Sequence, residues 1–217
     1  MPAYSEEHGT GYGDTVQFRV KGAKLAEAVG AVGSLVRSVT AHSLRTPHTG
    51  TGAHGEALGK VPAACLTTED AARIARWIAR GKTVRVRLKM GARDLGEAKS
   101  HNVVAELRGR EAPDEVVVIG GHIDSWDVGD GAHDDGTGVV MAMEALSLLR
   151  RLKLRPRRTI RVVLWTNEEN GGRGSAAYAA RHAAELPKHV AAIESGSGGF
   201  HFAGYSIEHA DPAAQAR

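Results

Sequence analysis

Two short apolar runs, Val116-Val117-Val118-Ile119 and Ile160 to Trp165, each hand over directly to acidic residues, and this pairing constrains the chain more than any other feature. A β-branched run of this length, closed by glycine or polar residues, reads as a buried strand. The first passes through Gly120-Gly121 and delivers His122 and Asp124 at its C-terminal end; the second delivers Glu168 and Glu169 in the same way. In open α/β sheets, ligands collect in the crevice outside the carboxyl ends of the strands, so the two deliveries point at one shared pocket. That is where a hydrolytic metal site would be built.

The rest of the second half supports such a sheet. Strands are expected at 102–107, 116–120, 159–165 and 190–194, with helices at about 138–152 and 174–184. Strands alternating with helices define the fold class as α/β, a mixed, largely parallel sheet with helices on both faces. In the first helix Val139, Met143, Leu146 and Leu149 recur at helical spacing and are assigned to the core. Before a change of character near residues 92–100, a short helix at 21–30, a strand at 31–39, an amphipathic helix at 68–80 capped by Thr67 or Thr68, and an alternating strand at 83–89 make a small α/β unit.

The residue types fit metal chemistry. His122 and Asp124 are two apart, and on an extended segment such side chains point the same way. His122 is then a ligand, and the Asp124 carboxylate orients it by accepting from the other ring nitrogen. Asp134, in the glycine-flanked turn GAHDDGTG, can bridge two divalent ions with its two oxygens, while Asp135 braces the turn. Of Glu168 and Glu169, one binds metal and the other stays free to take a proton from the attacking water, with Gly171-Gly172 letting the backbone bend to aim both inward. Histidine with carboxylates suits zinc, and manganese or cobalt also fit such a set. Asp124, Asp127 and Asp130 do not make a calcium loop, because the central glycine and terminal glutamate of an EF-hand are missing.

The segments GGHIDSWDVGDGAHDDGTG, residues 120–138, and LWTNEENGGRGSAAY, residues 164–178, resemble the zinc-dependent exopeptidases with two co-catalytic metals, most nearly their carboxypeptidase Q (plasma glutamate carboxypeptidase) branch. The match to the patterns GGHxDSWDxGxGAxDDGxG and LWTxEExGGxGxxxY is long and specific. The resemblance implies that His122 binds one zinc ion, Asp134 bridges both, Glu169 binds the other, and Glu168 is the general base. It also implies a cis peptide between Asp134 and Asp135.

Two departures accompany the match. The family supplies a further aspartate from a motif ESDxG, and the corresponding stretch here, Glu194-Ser195-Gly196-Ser197-Gly198, has Gly196 in that place. The family's last ligand is a histidine far downstream, and this chain stops at Arg217. His201 and His209 are candidates to substitute, but tail histidines are usually solvent-facing. Counted this way, one ion keeps His122 and Asp134 and the other keeps Asp134 and Glu169, short of the three protein ligands of a catalytic zinc. The expectation is weak metal binding and poor or absent catalysis by this chain.

Composition narrows the class. At 217 residues, 42% hydrophobic and 24% charged, the chain is an ordinary globular protein. No apolar stretch is long enough to span a bilayer, so no membrane partner is expected. A net charge of +3, with a basic cluster at 150–161 that lacks an aromatic platform, gives no nucleic-acid surface; the cluster is read as the solvated end of a helix and a loop. Cys65, the single cysteine, is assigned to packing. The segment GTGAHG, residues 50–55, fits G-x-G-x-x-G formally, but no strand precedes it and Pro62 cuts off a following helix, so it binds no dinucleotide. His42, His48 and His54 around it are read as surface residues.

By resemblance, residues 1–95 form part of a protease-associated domain and residues 96–217 the N-terminal part of a zinc exopeptidase catalytic domain. The chain is read as incomplete at both ends. The residues 1–14 contain no hydrophobic signal core. The resemblance implies an extracellular or periplasmic protein and attributes that absence to a lost N-terminus, while the sequence itself leaves a cytoplasmic location open. The implied function is hydrolysis of short peptides, carboxypeptidase- or dipeptidase-like, with a homodimer left open. The alternatives are a non-catalytic remnant or binding module of the same fold, and a single-zinc glutaminyl cyclase-like enzyme.

Overall fold

The computed structural model describes residues 11–40, 45–47, 60–93, 95–127, 129–196, 198–199, 204 and 207–209. His42, His48, His54, His201 and the glycine-rich segment 50–55 lie outside the described residues. The chain divides into two compact units, Met1–Lys99 and Ser100–Arg217.

In the first unit, helix α1 (Tyr12–Ala28) is followed by strand β1 (Ser34–Arg37), strand β2 (Ala63–Leu66) and helix α2 (Thr68–Ala79). The two strands pair in parallel, Ser34 opposite Ala63 and Arg37 opposite Leu66. Thr67 caps α2, its hydroxyl accepting from the Asp70 N–H at 3.0 Å. Cys65 is half-buried on β2, and that burial pushes its thiol pKa up. Two expectations are corrected. Helix α1 starts well before residue 21, because residues 12–20 are helical although their apolar side chains do not gather on one stripe. Residues 83–89 alternate but form no strand, since a strand needs a partner for its ladder and, among the described residues, this segment has none.

The second unit holds the sheet. Strands β3 (Val103–Leu107), β4 (Ala112–His122), β5 (Arg158–Trp165) and β6 (His189–Glu194) stand in the order β3-β5-β4-β6. Strands β4, β5 and β6 are mutually parallel, and β3 runs antiparallel on the edge of β5. The α/β class with a mixed, largely parallel sheet is therefore the observed one. Helices α3 (Gly136–Arg151) and α4 (Arg173–Arg181) make the crossovers from β4 to β5 and from β5 to β6, with a 3-10 turn at Leu186–Lys188 before β6.

Side-chain alternation puts a core on each face. Ile119, Val162 and Leu164 face α3, where they meet Ala142, Val139 and Leu146. Val116, Val118, Val163 and Trp165 face the other way, against Tyr178 of α4. Val163, with no exposed surface, contributes about 1.5–3 kcal/mol by burial. Met143 is corrected: it is 53% exposed, and Ala142 takes the buried position on α3.

The basic cluster is corrected as well. Arg161 is not solvated but buried on the α4 face, where it donates to Glu106 at 2.5 Å, to the Tyr178 hydroxyl at 2.6 Å and to Glu185 at 3.1 Å. These partners hold β3, β5 and α4 together and more than offset the cost of burying the guanidinium, so its pKa stays above the ordinary arginine range. No helix among the described residues is long and apolar enough to cross a membrane.

Candidate metal centre

Parallel pairing brings the two strand ends level, His122 opposite Trp165. The ladder runs one step further, the Ile123 N–H donating to the Trp165 carbonyl at 2.7 Å. Every acidic residue delivered after these ends therefore starts from the same edge of the sheet.

His122 is 3% exposed. Its N–H donates to Asp135 Oδ2 at 2.9 Å, and Asp135 Oδ1 accepts from the Gly138 N–H at 3.1 Å as the N-cap of α3. One buried carboxylate thus ties the end of β4 to the start of α3. Gly121 must be glycine for this approach, because a Cβ there would run into the Asp135 carboxylate. Burial raises the Asp135 pKa, against the two N–H donors that lower it. The Asp134–Asp135 peptide is cis.

The ring of His122 is held from both sides. Nδ1 lies 2.9 Å from the carbonyl oxygen of Asp124, and Nε2 lies 3.0 Å from Asp134 Oδ1. A carbonyl only accepts, so Nδ1 carries the proton, and the other ring nitrogen, Nε2, faces Asp134. The orienting acceptor is thus the Asp124 backbone and not its carboxylate, which stands 3.8 Å from Nδ1. The carboxylate is engaged elsewhere: Oδ1 accepts from the Glu168 N–H at 3.0 Å and Oδ2 from the Glu169 N–H at 3.2 Å.

Glu168 and Glu169 sit on the loop between β5 and α4, where Asn167, Gly171 and Gly172 have left-handed φ of 60°, 107° and 65°. Glu169 joins the centre: one ligand atom each from His122, Asp134 and Glu169 lie within 4.8 Å of one another. Glu168 Oε2 lies beside them, 3.9 Å from His122 Nε2, and its side chain is 48% exposed. His209 is exposed. Among the described residues, the structure therefore brings His122, Asp134, Glu169 and Glu168 together around the end of β4.

Charge in this cluster would favour a cation. Burial raises the Glu169 pKa, the negative charges of Asp134 and Glu168 add to the rise, and a hydrogen bond from Trp126 opposes it. Burial on its own lowers the His122 pKa, yet the bond to the Asp124 carbonyl and the charges of Glu168, Asp135 and Asp134 outweigh it and leave it raised. A divalent ion would relieve the repulsion among these carboxylates. One imidazole nitrogen with two carboxylates is a donor set zinc accepts, so the residues fit the metal.

Beside the cluster a cavity of about 540 Å³ opens, lined by Trp165, Glu168, Ser175, Ile193 and Glu194 among others. Trp165 serves both the cavity and the core, standing edge-on to Tyr178 at 5.3 Å. Glu194 was given no role by the sequence; burial and the charge of Glu168 raise its pKa. Gly196 follows, and a Cβ there would meet nothing within 4 Å.

A family model for peptidase family M28 matches residues 102–214. The chain is 47% identical to mouse carboxypeptidase Q over 94% of its own length and 43% of that protein, and 46% identical to human carboxypeptidase Q over 87% and 40%. It therefore spans less than half the length of the curated relatives it matches. Its fold is similar to the crystal structure of a peptidase M28 precursor from Shewanella amazonensis, with a TM-score of 0.84 and 44% identity over 88% of this chain and 43% of the other. A zinc aminopeptidase from Bacillus subtilis shares the fold, with a TM-score of 0.53 and 21% identity over 77% and 38%.

Proposed function

The chain belongs to peptidase family M28, and on that premise we propose that it acts as a zinc-dependent exopeptidase on short peptides, with carboxypeptidase or dipeptidase character. The observation that carries this reading is the convergence of His122, Asp134 and Glu169, with Glu168 beside them and solvent-accessible. His122, Asp134 and Glu169 would together hold one zinc ion, giving a single metal three protein ligands. A second ion of a co-catalytic pair would need further ligands, and the resemblance places one of them where Gly196 stands. When bound, zinc lowers the pKa of a water and polarises a carbonyl.

The chain's own groups do the rest. The Asp124 carbonyl holds the His122 ring with Nε2 forward, and the Asp124 carboxylate holds the backbone of Glu168 and Glu169. Glu168, free of the ligand set, takes the proton of the attacking water and returns it to the leaving amine. The cavity beside Trp165 and Glu194 receives the substrate. An extracellular or periplasmic setting is proposed on the family resemblance, and residues 1–95 are proposed as part of a protease-associated domain.

The test is Glu168→Gln. Hydrolysis of a dipeptide series by the zinc-loaded protein is expected to slow by roughly 10²–10⁴-fold while zinc affinity stays within about threefold. A near-normal rate would remove Glu168 from its role. The ligand set, one His, one Asp and one Glu, also matches the single-zinc cyclase reading, in which a peptide with N-terminal glutamine releases ammonia without chain cleavage. Zinc bound with neither reaction would favour a non-catalytic binding module.

A further inference from the structure

We propose that Asn102 is a positioning residue for the metal centre: its side chain locks the neck of the loop that carries Glu168 and Glu169. The proposal rests on the reading of that loop as half of the zinc site. The β3–β5 ladder ends at Val103 opposite Leu164, so beyond that pair β3 offers β5 no further backbone bond. Asn102 takes over where the ladder stops. Its Oδ1 accepts from the Thr166 N–H at 3.1 Å and its Nδ2 donates to the Gly174 carbonyl at 2.8 Å. The Gly174 N–H in turn donates to the Thr166 carbonyl at 3.0 Å. Three hydrogen bonds thus close residues 166–174 into a ring at its base.

A primary amide is suited to this, because one planar group supplies both the acceptor and the donor that the two sides of the neck require. Gly174 has no room for a side chain: a Cβ would collide with the Thr166 carbonyl and with Asn102 Oδ1. Inside the ring, the Gly171 and Gly172 N–H groups bond back to Glu168 and Asn167 carbonyls at 3.0 and 2.9 Å, so the position of Thr166 is passed on to the acids. Asp124 clamps the same loop at Glu168 and Glu169. Metal–ligand distances tolerate shifts of only about 0.2 Å, so a neck that slips withdraws the Glu169 carboxylate from His122 and Asp134.

The experiment compares Asn102→Ala and Asn102→Asp with the wild-type chain by two readouts, amide hydrogen exchange resolved by residue and Zn²⁺ affinity from competition with a chromophoric chelator. Asn102→Ala is expected to speed exchange at Thr166, Glu168 and Glu169 and to weaken Zn²⁺ binding ~10-fold, the scale of an outer-shell partner, while Val118 and Ile119 in β4 keep their protection. Asn102→Asp retains the acceptor, so Thr166 stays protected while exchange at Glu168 and Glu169 rises. Zn²⁺ affinity within twofold of wild type in Asn102→Ala overturns the proposal. So does faster exchange throughout β4 in both variants, which would make Asn102 a residue of general stability. If the wild-type chain binds no Zn²⁺, the zinc reading fails, and exchange at Glu168 and Glu169 alone decides the role of Asn102.

Discussion

His122 is 3% exposed and Glu168 48% exposed, although their side chains approach to 3.9 Å. The half of the centre that ends β4 is placed by the fold itself: a strand buried on both faces, a capped helix, and one carboxylate, Asp135, shared between them. The half that follows β5 is placed by side chains gripping a loop, Asp124 at its acids and Asn102 at its neck. Both halves supply side chains to the proposed zinc site, but they are expected to fail in different ways. Damage to the supports of the first is expected to cost stability, and damage to the supports of the second to cost metal affinity in a protein that still folds.

The largest effect is expected from His122→Ala, which removes the only nitrogen donor of the set. Zinc affinity should fall by more than about 100-fold, beyond the 10–100-fold that outer-shell partners cost; a chelator competition assay reads it. Next comes a pair that breaks the comparison if it is wrong. Asp135→Ala leaves a buried N–H unsatisfied and uncaps α3, and should cost about 2–4 kcal/mol in urea denaturation. Glu169→Gln, on the loop, should change stability by less than about 0.5 kcal/mol. Equal losses from the two would mean that the halves are built alike.

Protons sharpen the picture further. Zinc at the proposed site would need neutral His122 and ionised Glu169, and both groups have raised pKa values. A raised pKa means tighter proton binding, so protons compete with zinc from a higher pH than for free side chains. As pH falls through the His122 pKa, each further unit should weaken zinc binding about tenfold, and more steeply once Glu169 also titrates. A flat affinity between pH 8 and pH 5 would contradict this ligand set. The smallest effect is expected at Gly196, where a side chain meets open space. Gly196→Asp should tighten zinc binding several-fold, or add a second ion in the titration, if this position offers the ligand that the resemblance implies.

The same contrast governs what was legible in the sequence. The strand ends and the side chains that gather beside them could be read because β-branched runs, glycine pairs and acids lie close together in the sequence. Strands β4 and β5 announce themselves: His122 closes β4, Glu168 and Glu169 follow β5 within a few residues, and Asp134 stands out by its glycine-flanked turn. The supports could not be read. The side chains of Asp124 and Asn102 depend on backbone partners 44 to 72 residues away, and a backbone N–H or carbonyl leaves no signature in the partner's residue type. For the same reason Arg161 looked like one more solvated arginine, since its burial is set by Glu106 and Glu185, which arrive from β3 and from beyond α4. The alternation at residues 83–89 misled in the opposite sense: pattern supplied a strand face, but among the described residues pairing supplied no neighbour.

The most direct test is a calorimetric titration of the chelator-treated chain with Zn²⁺, wild type beside Asp134→Asn and Glu169→Gln. The account predicts about one zinc per chain in the wild type, with affinity lost in both variants, because His122, Asp134 and Glu169 act as one set. No binding by the wild type, or the same affinity in all three proteins, would contradict it.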